Sequence, residues 1–533
     1  MSAVWVHLVT HELRAQARRR LAGRRRLLMA LGLAALAAWS IAAPQSSSPL
    51  SDRGRLCFIV LALACAVHSL VAGLRRLGSC QPEAWREGSV ELMLRTGVKG
   101  PGVVLGQFMP AFARGCLEVF PAVPLLVFAA TLGGTSTGEA CRMSLVVAAT
   151  LGLSLAVGFA SSATCRDDRA ALTTTALLLL SFVVWCPVVG LLCNGAPLVS
   201  GLGMWFLAAS PSYAFRTALA SAVGGSSAGF ARSIVTIAVV TAGLLGLAGR
   251  QLGRACRQAV EPEPRALDSS RRPMPEGPNL SRCAGSAAID FASSGDASRN
   301  GLDRSVFFRR AATALPLIIA AGLFLATRAQ RGSAVLVLLG ALCAVHVTLK
   351  VLLAVAANSV LSKARHARTL APILATPVSA ADWLGAANRA VRRRHRLPLA
   401  ATLLANWVAL GSIALSGGSM FALSEKVMIG VVLVAGCVQL WIDAFALCWL
   451  GMWHGLGGRG LGVALLETLG GVLVPPWAVM VALLAFNVGS FYSVNEFAAY
   501  FLVWLGFGGL LSPVAGAWAR HELIHQLRSR AVA

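Results

Sequence analysis

The chain is poor in charged residues, and acidic side chains are the scarcest of them. Its 533 residues include 22 Asp and Glu against 47 Lys and Arg, and charged residues make up only 13% of the total. A typical soluble domain carries about 25% charged residues, whereas 56% of this chain is hydrophobic and its mean hydropathy is +0.70. The composition excludes an ordinary soluble domain and predicts a polytopic membrane protein.

The sequence also lacks a phosphate-binding loop of the GxxxxGK type followed by Ser or Thr. Because that glycine-rich loop and its Lys hold the phosphates of ATP in a large class of ATPases, the chain is not predicted to hydrolyse ATP by that route. Polar residues within its apolar stretches are scattered, and we predict neither an enzyme nor a bound cofactor. Any work that the protein performs must then draw on a partner or an ion gradient.

The 13 cysteines do not have the spacing of a disulfide framework. Most fall in predicted spans or inner segments, where small-residue packing explains them, and a bridge between Cys141 and Cys193 on the outer side stays open. His521 and His525 have the i, i+4 spacing that can hold a metal on a helix. No third ligand is evident, so no metal site is predicted.

Apolar runs long enough to cross a bilayer recur along the chain. A span needs about 20 mostly apolar residues in helical form, and helices satisfy their own backbone hydrogen bonds where water is absent. We therefore predict an all-α polytopic bundle with twelve membrane spans. The predicted spans are 27–43, 56–74, 116–132, 143–163, 170–192, 233–248, 311–326, 334–357, 397–415, 427–452, 461–486 and 497–518.

A polar stretch rich in Pro, Ser, Asp and Arg, 256–305, interrupts the apolar pattern after the sixth predicted span. Few of its residues can build a core, so it is predicted to be a cytoplasmic linker. It divides the chain into a first six-span half, 1–255, and a second six-span half, 306–533. The first residues predict an interfacial helix on the inner leaflet, with a solvated basic tail as the alternative.

The basic residues are distributed unevenly along the predicted spans. With both termini on the cytoplasmic side, most Lys and Arg fall in the inner segments, as topology rules require. Anionic lipid headgroups favour such residues, so membrane lipids are expected partners. The basic cluster at 18–26 directly precedes a membrane span, and no nucleic-acid partner is predicted.

A charge-mixed segment between the second and third predicted spans, 83–106, has a partial counterpart at 366–385. Leu94 and Thr96 of the first copy correspond to Leu374 and Thr376 of the second, which indicates internal duplication. The first copy resembles the stretch R-E-x-G-T-L-E-x-L-L-x-T-P of ABC transporter permeases of the type-2 exporter class. The resemblance continues through Val103 to Gln107.

Other stretches carry the same resemblance, and some positions depart from it. The run 210–213, SPSY, is similar to a run before the last span of a family half, and HELRAQARRR at 11–20 is similar to the family's interfacial helix. Gly97 and Gln107 replace an expected Pro and Lys, and the second copy lacks the Glu pattern of the first. The two halves are therefore expected to contact their partners unequally.

The resemblance implies a permease in the bacterial cytoplasmic membrane, with separate cytoplasmic ATP-binding subunits that drive alternating access and export. The residues expected to contact these subunits are Arg86, Glu87, Gly88, Glu91, Leu92, Leu94, Arg95, Thr96, Thr369, Leu374, Thr376 and Pro377. A short amphipathic helix with paired charges suits such docking. An ordinary solvated loop helix is the alternative interpretation.

Charged residues inside predicted spans are the remaining candidates, because a charge at the bilayer centre costs about 2.5–3.5 kcal/mol on insertion scales. Asp443 is expected in mid-span, where it either lines a substrate path or clamps helices together. Lys350 and Glu467 are placed nearer the inner surface, where Lys350 can extend to the headgroups. Arg114 and Glu118 have i, i+4 spacing and are expected to pair.

Two other classes of protein remain open. A secondary transporter of the major facilitator type also has two six-span halves and a polar central loop, although its basic loop pattern is missing after the second span. A noncatalytic membrane scaffold is the third class. A permease requires a partner ATPase, a secondary carrier requires an ion gradient, and a scaffold supports no flux.

Overall fold

The computed structural model describes most of the chain, and nearly all of the described residues are helical. No strand occurs in this part of the chain, which confirms the predicted all-α class. The described residues are 27, 29–38, 50–76, 100–132, 135–165, 167–194, 200–219, 227–260, 299–330, 332–366, 370, 379–417, 421–458, 460–486 and 494–532.

The helices of the first half include both long spanning helices and short connecting ones. In chain order they are α1 (Met29–Ala38), α2 (Leu50–Arg76), α3 (Gly100–Val119), α4 (Ala122–Thr131), α5 (Thr137–Thr164), α6 (Asp168–Asn194), α7 (Ser200–Ala208), α8 (Pro211–Leu219) and α9 (Ser227–Val260). Helix α6 contains one π-helical turn, Ser181–Trp185.

The helices of the second half are long throughout. They are α10 (Arg299–Arg328), α11 (Gly332–His366), α12 (Ala380–Ala414), α13 (Leu423–Leu456), α14 (Leu461–Phe486) and α15 (Val494–Val532).

The described residues contain nine helices that are long and apolar enough to span a membrane, or ten when α3 and α4 count as one bent span. The bend of 44° falls at Pro121, which has no N–H to continue the helical ladder. Two of the twelve predicted spans correspond to shorter apolar pieces, Met29–Ala38 and Leu461–Pro476. The polytopic helical bundle is confirmed, and the count of twelve is not.

Several helices extend beyond the predicted spans. Helix α3 begins at Gly100, so Val103 and Val104, the last part of the segment 83–106, are buried helical residues. Helix α12 begins at Ala380 because Ser379 Oγ accepts a hydrogen bond from the Asp382 N–H at 3.1 Å, which caps the first turn.

Both helices beside the predicted linker also extend into it. Helix α9 continues to Val260, and α10 begins at Arg299. Residues 261–298, which make up the rest of the linker, lie outside the described residues.

In each half, close contacts at glycines join the helix of the second predicted span to that of the fourth. Gly73 of α2 lies against Ser154 of α5, where a Cβ on Gly73 would be 2.1 Å from the Ser154 carbonyl oxygen. In the second half Gly455 of α13 lies against Asn358 of α11, where a Cβ on Gly455 would be 2.3 Å from the carbonyl oxygen. Small residues at these positions allow the two backbones to approach closely.

The two halves share one buried apolar cluster. It includes Leu61 and Leu153 from the first half and Leu361 and Leu450 from the second. At their contact a Cβ on Gly462 would be 1.9 Å from the Leu74 carbonyl oxygen, so α2 and α14 pack backbone to backbone. The halves therefore pack against each other through a continuous core.

Candidate functional site

The predicted ATPase-contacting residues lie outside the described residues. Those of the first copy fall within 77–99, and those of the second within 367–369 and 371–378. The structure describes the helices that flank them. Helix α2 ends at Arg76 and α3 begins at Gly100, while α11 ends at His366 and α12 begins at Ala380. The contact surface stays a prediction.

Asp443 lies near the middle of α13, and its side chain is only 2% exposed. Its Oδ2 atom is 2.6 Å from Nζ of Lys350, a residue near the middle of α11 whose side chain is 7% exposed. The pair brings together two oppositely charged groups that sequence reasoning treated separately. Asp443 is thus part of an ion pair inside the bundle.

Two further side chains complete the environment of Asp443. Gln439, one turn earlier on α13, donates from Nε2 to Asp443 Oδ1 at 2.7 Å. Ser512 of α15 donates from Oγ to the same oxygen, also at 2.7 Å. The absence of a side chain at Gly508 leaves space for the Gln439 amide. Asp443 therefore links α11, α13 and α15, and both of its oxygens have partners.

The ion pair corrects the expectation that the Lys350 side chain extends to the headgroups. The predicted span ended at residue 357, but α11 continues to His366, which moves Lys350 to mid-helix. From that position its ammonium group pairs with Asp443. A lone charge would cost several kcal/mol to bury, so two opposite charges in contact are the stable arrangement there.

A neighbouring contact adds a fourth helix to this polar region. His346 lies one turn before Lys350 on α11, and its Nε2 atom is 2.9 Å from Nδ2 of Asn406 on α12. Sequence reasoning missed both residues. The sequence did contain a signal for this polar region. His346 and Lys350 have i, i+4 spacing on one helix, and Gln439 and Asp443 have the same spacing on another.

The space beside the ion pair is small. The cavity there has a volume of about 10 Å³, enough for about one water molecule, and it is lined by Lys350, Gln439, Asp443, Val472, Leu473, Pro476, Trp504 and Gly508. Ligand pockets measure about 300–1,000 Å³. The cluster links three helices, and the space beside it is too small for a sizeable ligand.

A second polar cluster occurs in the first half around Glu118 of α3. The expected pair with Arg114 is confirmed, with Arg114 Nε 3.1 Å from Glu118 Oε1. The structure adds two groups from α2, since His68 Nε2 is 3.3 Å and Arg75 Nη1 is 3.9 Å from Glu118 Oε2. These side chains are 12–26% exposed, so this cluster is more open than the Lys350–Asp443 pair.

The run SPSY forms the beginning of α8, one of two short helices between α6 and α9 that sequence reasoning did not predict. Ser210 and Ser212 contact each other through their hydroxyl oxygens at 2.7 Å. Ser212 Oγ also donates to the Val183 carbonyl oxygen in the π turn of α6 at 2.9 Å. These contacts fix the connection between the fifth and sixth predicted spans.

Residues 521–525 read HELIH, the letters of the HExxH zinc motif, of which sequence reasoning considered only the two His. The rings of His521 and His525 are 4.3 Å apart between centroids on the exposed side of α15. No group of three or more potential metal ligands occurs among the described residues. A third protein ligand is therefore not brought to this pair by the described part of the chain.

Residues 134–138 read GTSTG, the letters of a serine nucleophile motif that sequence reasoning missed. Ser136 instead begins α5, and its Oγ accepts from the Glu139 N–H at 3.2 Å. The Glu139 carboxylate in turn accepts from the Ser136 N–H at 3.0 Å, which completes a capping box. The serine thus has a structural explanation.

The possible disulfide bridge between Cys141 and Cys193 is not formed, because both residues are free thiols. Glu467, expected near the inner surface, lies near the start of α14, with its Oε2 atom 3.1 Å from His454 Nδ1.

No protein-family model matches the chain, and no curated protein is significantly similar to it.

Proposed function

We propose that this chain is the membrane-spanning permease of an exporter in the bacterial cytoplasmic membrane, driven by separate ATP-binding subunits. The proposal rests on the paired segments 83–106 and 366–385, each of which lies between two predicted spans. Their resemblance to the ABC permease element supports a docking role. The lack of a phosphate-binding loop of the Walker type in this sequence is consistent with ATP hydrolysis by a partner.

The packing of the flanking helices supports a mechanical role for these segments. Helix α2 leads into the first segment and is held against α5 through Gly73 and against α14 through Leu74. Helix α11 leads into the second and is held against α13 through Asn358. Because backbone-to-backbone contacts leave little room for sliding, displacement of either segment should move helices of the core together. This is how closure of the ATPase subunits would drive alternating access.

Purification from the native membrane under mild conditions tests the proposal. A nucleotide-binding subunit should co-purify with the wild-type chain and be lost when Glu87→Lys and Glu91→Lys are combined. A matched control combines Glu261→Lys and Glu263→Lys, which change the same charge within the predicted cytoplasmic linker. The control should retain the subunit. Absence of any ATPase from an intact wild-type preparation, or equal loss in both variants, would contradict the proposal.

The Lys350–Asp443 pair favours a second candidate, an ion-gradient-driven carrier. Ionisable residues inside membrane bundles commonly belong to proton or ion pathways, and this pair is buried at the junction of three helices. Purified chain in liposomes, with an imposed ion gradient and no ATPase, would then support flux that Asp443→Asn abolishes. Flux that depends on an added ATPase would favour the permease, and no flux under either condition would favour a scaffold.

A further inference from the structure

One exposed face of α12 changes abruptly from basic to apolar. Arg389, Arg393 and Arg396 are all exposed, and their spacing of four and three residues places them on one side of the helix. The same side continues with Leu404, which is 54% exposed, and Trp407, which is 60% exposed. We call Arg389, Arg393 and Arg396 the arginine stripe.

The dimensions of α12 place this change at a membrane boundary. Leu397, directly after the stripe, is 69% exposed, and Leu415 beyond the far end of the helix is 79% exposed. At a rise of 1.5 Å per residue, the distance from residue 397 to residue 415 is about 27 Å. A hydrocarbon core is about 30 Å thick, so the apolar part of α12 nearly fills it and the stripe lies among the headgroups.

The stripe differs from the other basic residues of its run. Arg392 is turned inward, with its guanidinium 5.5 Å from the centroid of the Phe445 ring. The ion pairs between described residues lie elsewhere, and none involves Arg389, Arg393 or Arg396. Asp382 continues the same side two turns before Arg389, but its carboxylate accepts a hydrogen bond from Ser379 Oγ at 2.5 Å.

A neighbouring helix shows the same boundary. Helix α10 packs along α12 and carries the exposed Arg310 directly before its own apolar stretch, in which Ile318 and Leu325 are each 66% exposed. Arginines thus precede the lipid-facing parts of two adjacent helices. Exposed positive charge therefore occurs on more than one helix.

We propose that the arginine stripe binds the headgroup phosphate of an anionic phospholipid in the inner leaflet. Guanidinium groups donate paired hydrogen bonds to phosphate oxygens, and the three side chains extend toward the N-terminal, aqueous side of α12 as helix geometry directs. The Leu404 and Trp407 surface lies where the acyl chains of the same lipid would run. This site goes beyond the proposed function, since it requires neither an ATPase nor transport.

Native mass spectrometry of the full chain in mild detergent tests the proposal, with phosphatidylglycerol and phosphatidylcholine titrated separately. The wild type should retain phosphatidylglycerol preferentially. Replacement of all three stripe arginines by Gln should weaken that binding by about five-fold for each Arg removed. Replacement by Lys, which keeps the charge, should weaken it less. The matched control replaces the exposed Arg216, Arg232 and Arg328, all predicted on the outer side, by Gln and should leave it unchanged.

Three results would overturn the proposal. The first is equal retention of the two lipids by the wild type, and the second is equal loss of binding in the stripe variant and the outer control. The third is displacement of the lipid by millimolar inorganic phosphate, which would identify a site for soluble anions. Because each variant differs only at exposed positions, an unchanged thermal unfolding temperature distinguishes loss of binding from loss of fold.

Discussion

Lys350 and Asp443 form an ion pair inside the helical bundle, with 2.6 Å between Nζ and Oδ2 and side chains that are 7% and 2% exposed. The two charges cancel, and the second carboxylate oxygen accepts from Gln439 and Ser512. A buried pair of this kind contributes little net stability compared with apolar residues of similar size. Removal of one partner alone is costly, because the other charge stays buried.

We therefore expect Asp443→Asn to lower the free energy of unfolding by about 3–5 kcal/mol. The double variant Lys350→Met with Asp443→Leu should recover most of that loss, because no charge is left unpaired. Thermal or denaturant unfolding of the purified protein in detergent measures both effects.

Asp167→Asn provides the comparison for that experiment. Its carboxylate is 3.2 Å from Lys363 Nζ, but the two side chains are 50% and 38% exposed. A solvent-screened pair contributes about 0–1 kcal/mol, so this variant should unfold almost like the wild type. Equal destabilisation by Asp167→Asn and Asp443→Asn would show that burial does not set the cost.

Gly508→Ala should disturb the same cluster without changing its charges. A Cβ at this position would be 2.7 Å from Gln439 Nε2, the atom that donates to Asp443. The amide must move, and overpacking of this kind costs about 1–3 kcal/mol. We expect a lower unfolding temperature for the variant.

Gly506→Ala is the matched control on the same helix, because a Cβ there has no neighbour within 4 Å. Because Ala favours a helix more than Gly does, this replacement at an open position should raise the free energy of unfolding by roughly 0.5–1 kcal/mol. A loss of stability in the control as large as in Gly508→Ala would contradict the packing explanation.

The sequence predicted the class of fold because apolar runs report directly on helices that face lipid or a core. It also identified Asp443 as unusual, since a carboxylate in such a run is costly. The partner of Asp443 was not predictable, because Lys350 precedes it by 93 positions and only tertiary packing brings them together. Helix ends were misplaced where amphipathic turns continue a span, as in α11 and α12.

Glu118→Gln should test the more open cluster of the first half. The carboxylate lies within 3.3 Å of His68 and Arg114 atoms and 3.9 Å of Arg75. Because these side chains are partly exposed, the substitution should destabilise the protein less than Asp443→Asn does. We expect the free energy of unfolding to fall by about 1–2 kcal/mol. The loss should shrink in high salt, because solvent-accessible charges are screened. A salt-independent loss larger than that of Asp443→Asn would contradict this ranking.

We expect the HELIH run to bind zinc weakly, although it matches the HExxH zinc motif. A stable zinc site uses at least three protein ligands, and the described residues bring no third one to His521 and His525. The purified chain should therefore hold no more zinc after dialysis than the combined variant His521→Ala and His525→Ala, as measured by elemental mass spectrometry. One tightly held zinc per wild-type chain, lost in the variant, would show that a ligand comes from elsewhere in the chain.

The Gly455→Ala variant should show whether the contact between α11 and α13 supports only the fold or also transmits motion from the segment 366–385. Its Cβ would be 2.3 Å from the Asn358 carbonyl oxygen, an atom of the helical backbone that cannot rotate away. Helices α11 and α13 must then move apart, at a cost of about 1–3 kcal/mol. Gly470→Ala on α14, where a Cβ has no neighbour within 4 Å, should cost nothing.

If α11 transmits motion from the segment 366–385, Gly455→Ala should also reduce substrate-stimulated ATP hydrolysis by the reconstituted complex at temperatures where the protein remains folded. Normal stimulation in a measurably destabilised Gly455→Ala protein would show that this contact supports the fold alone.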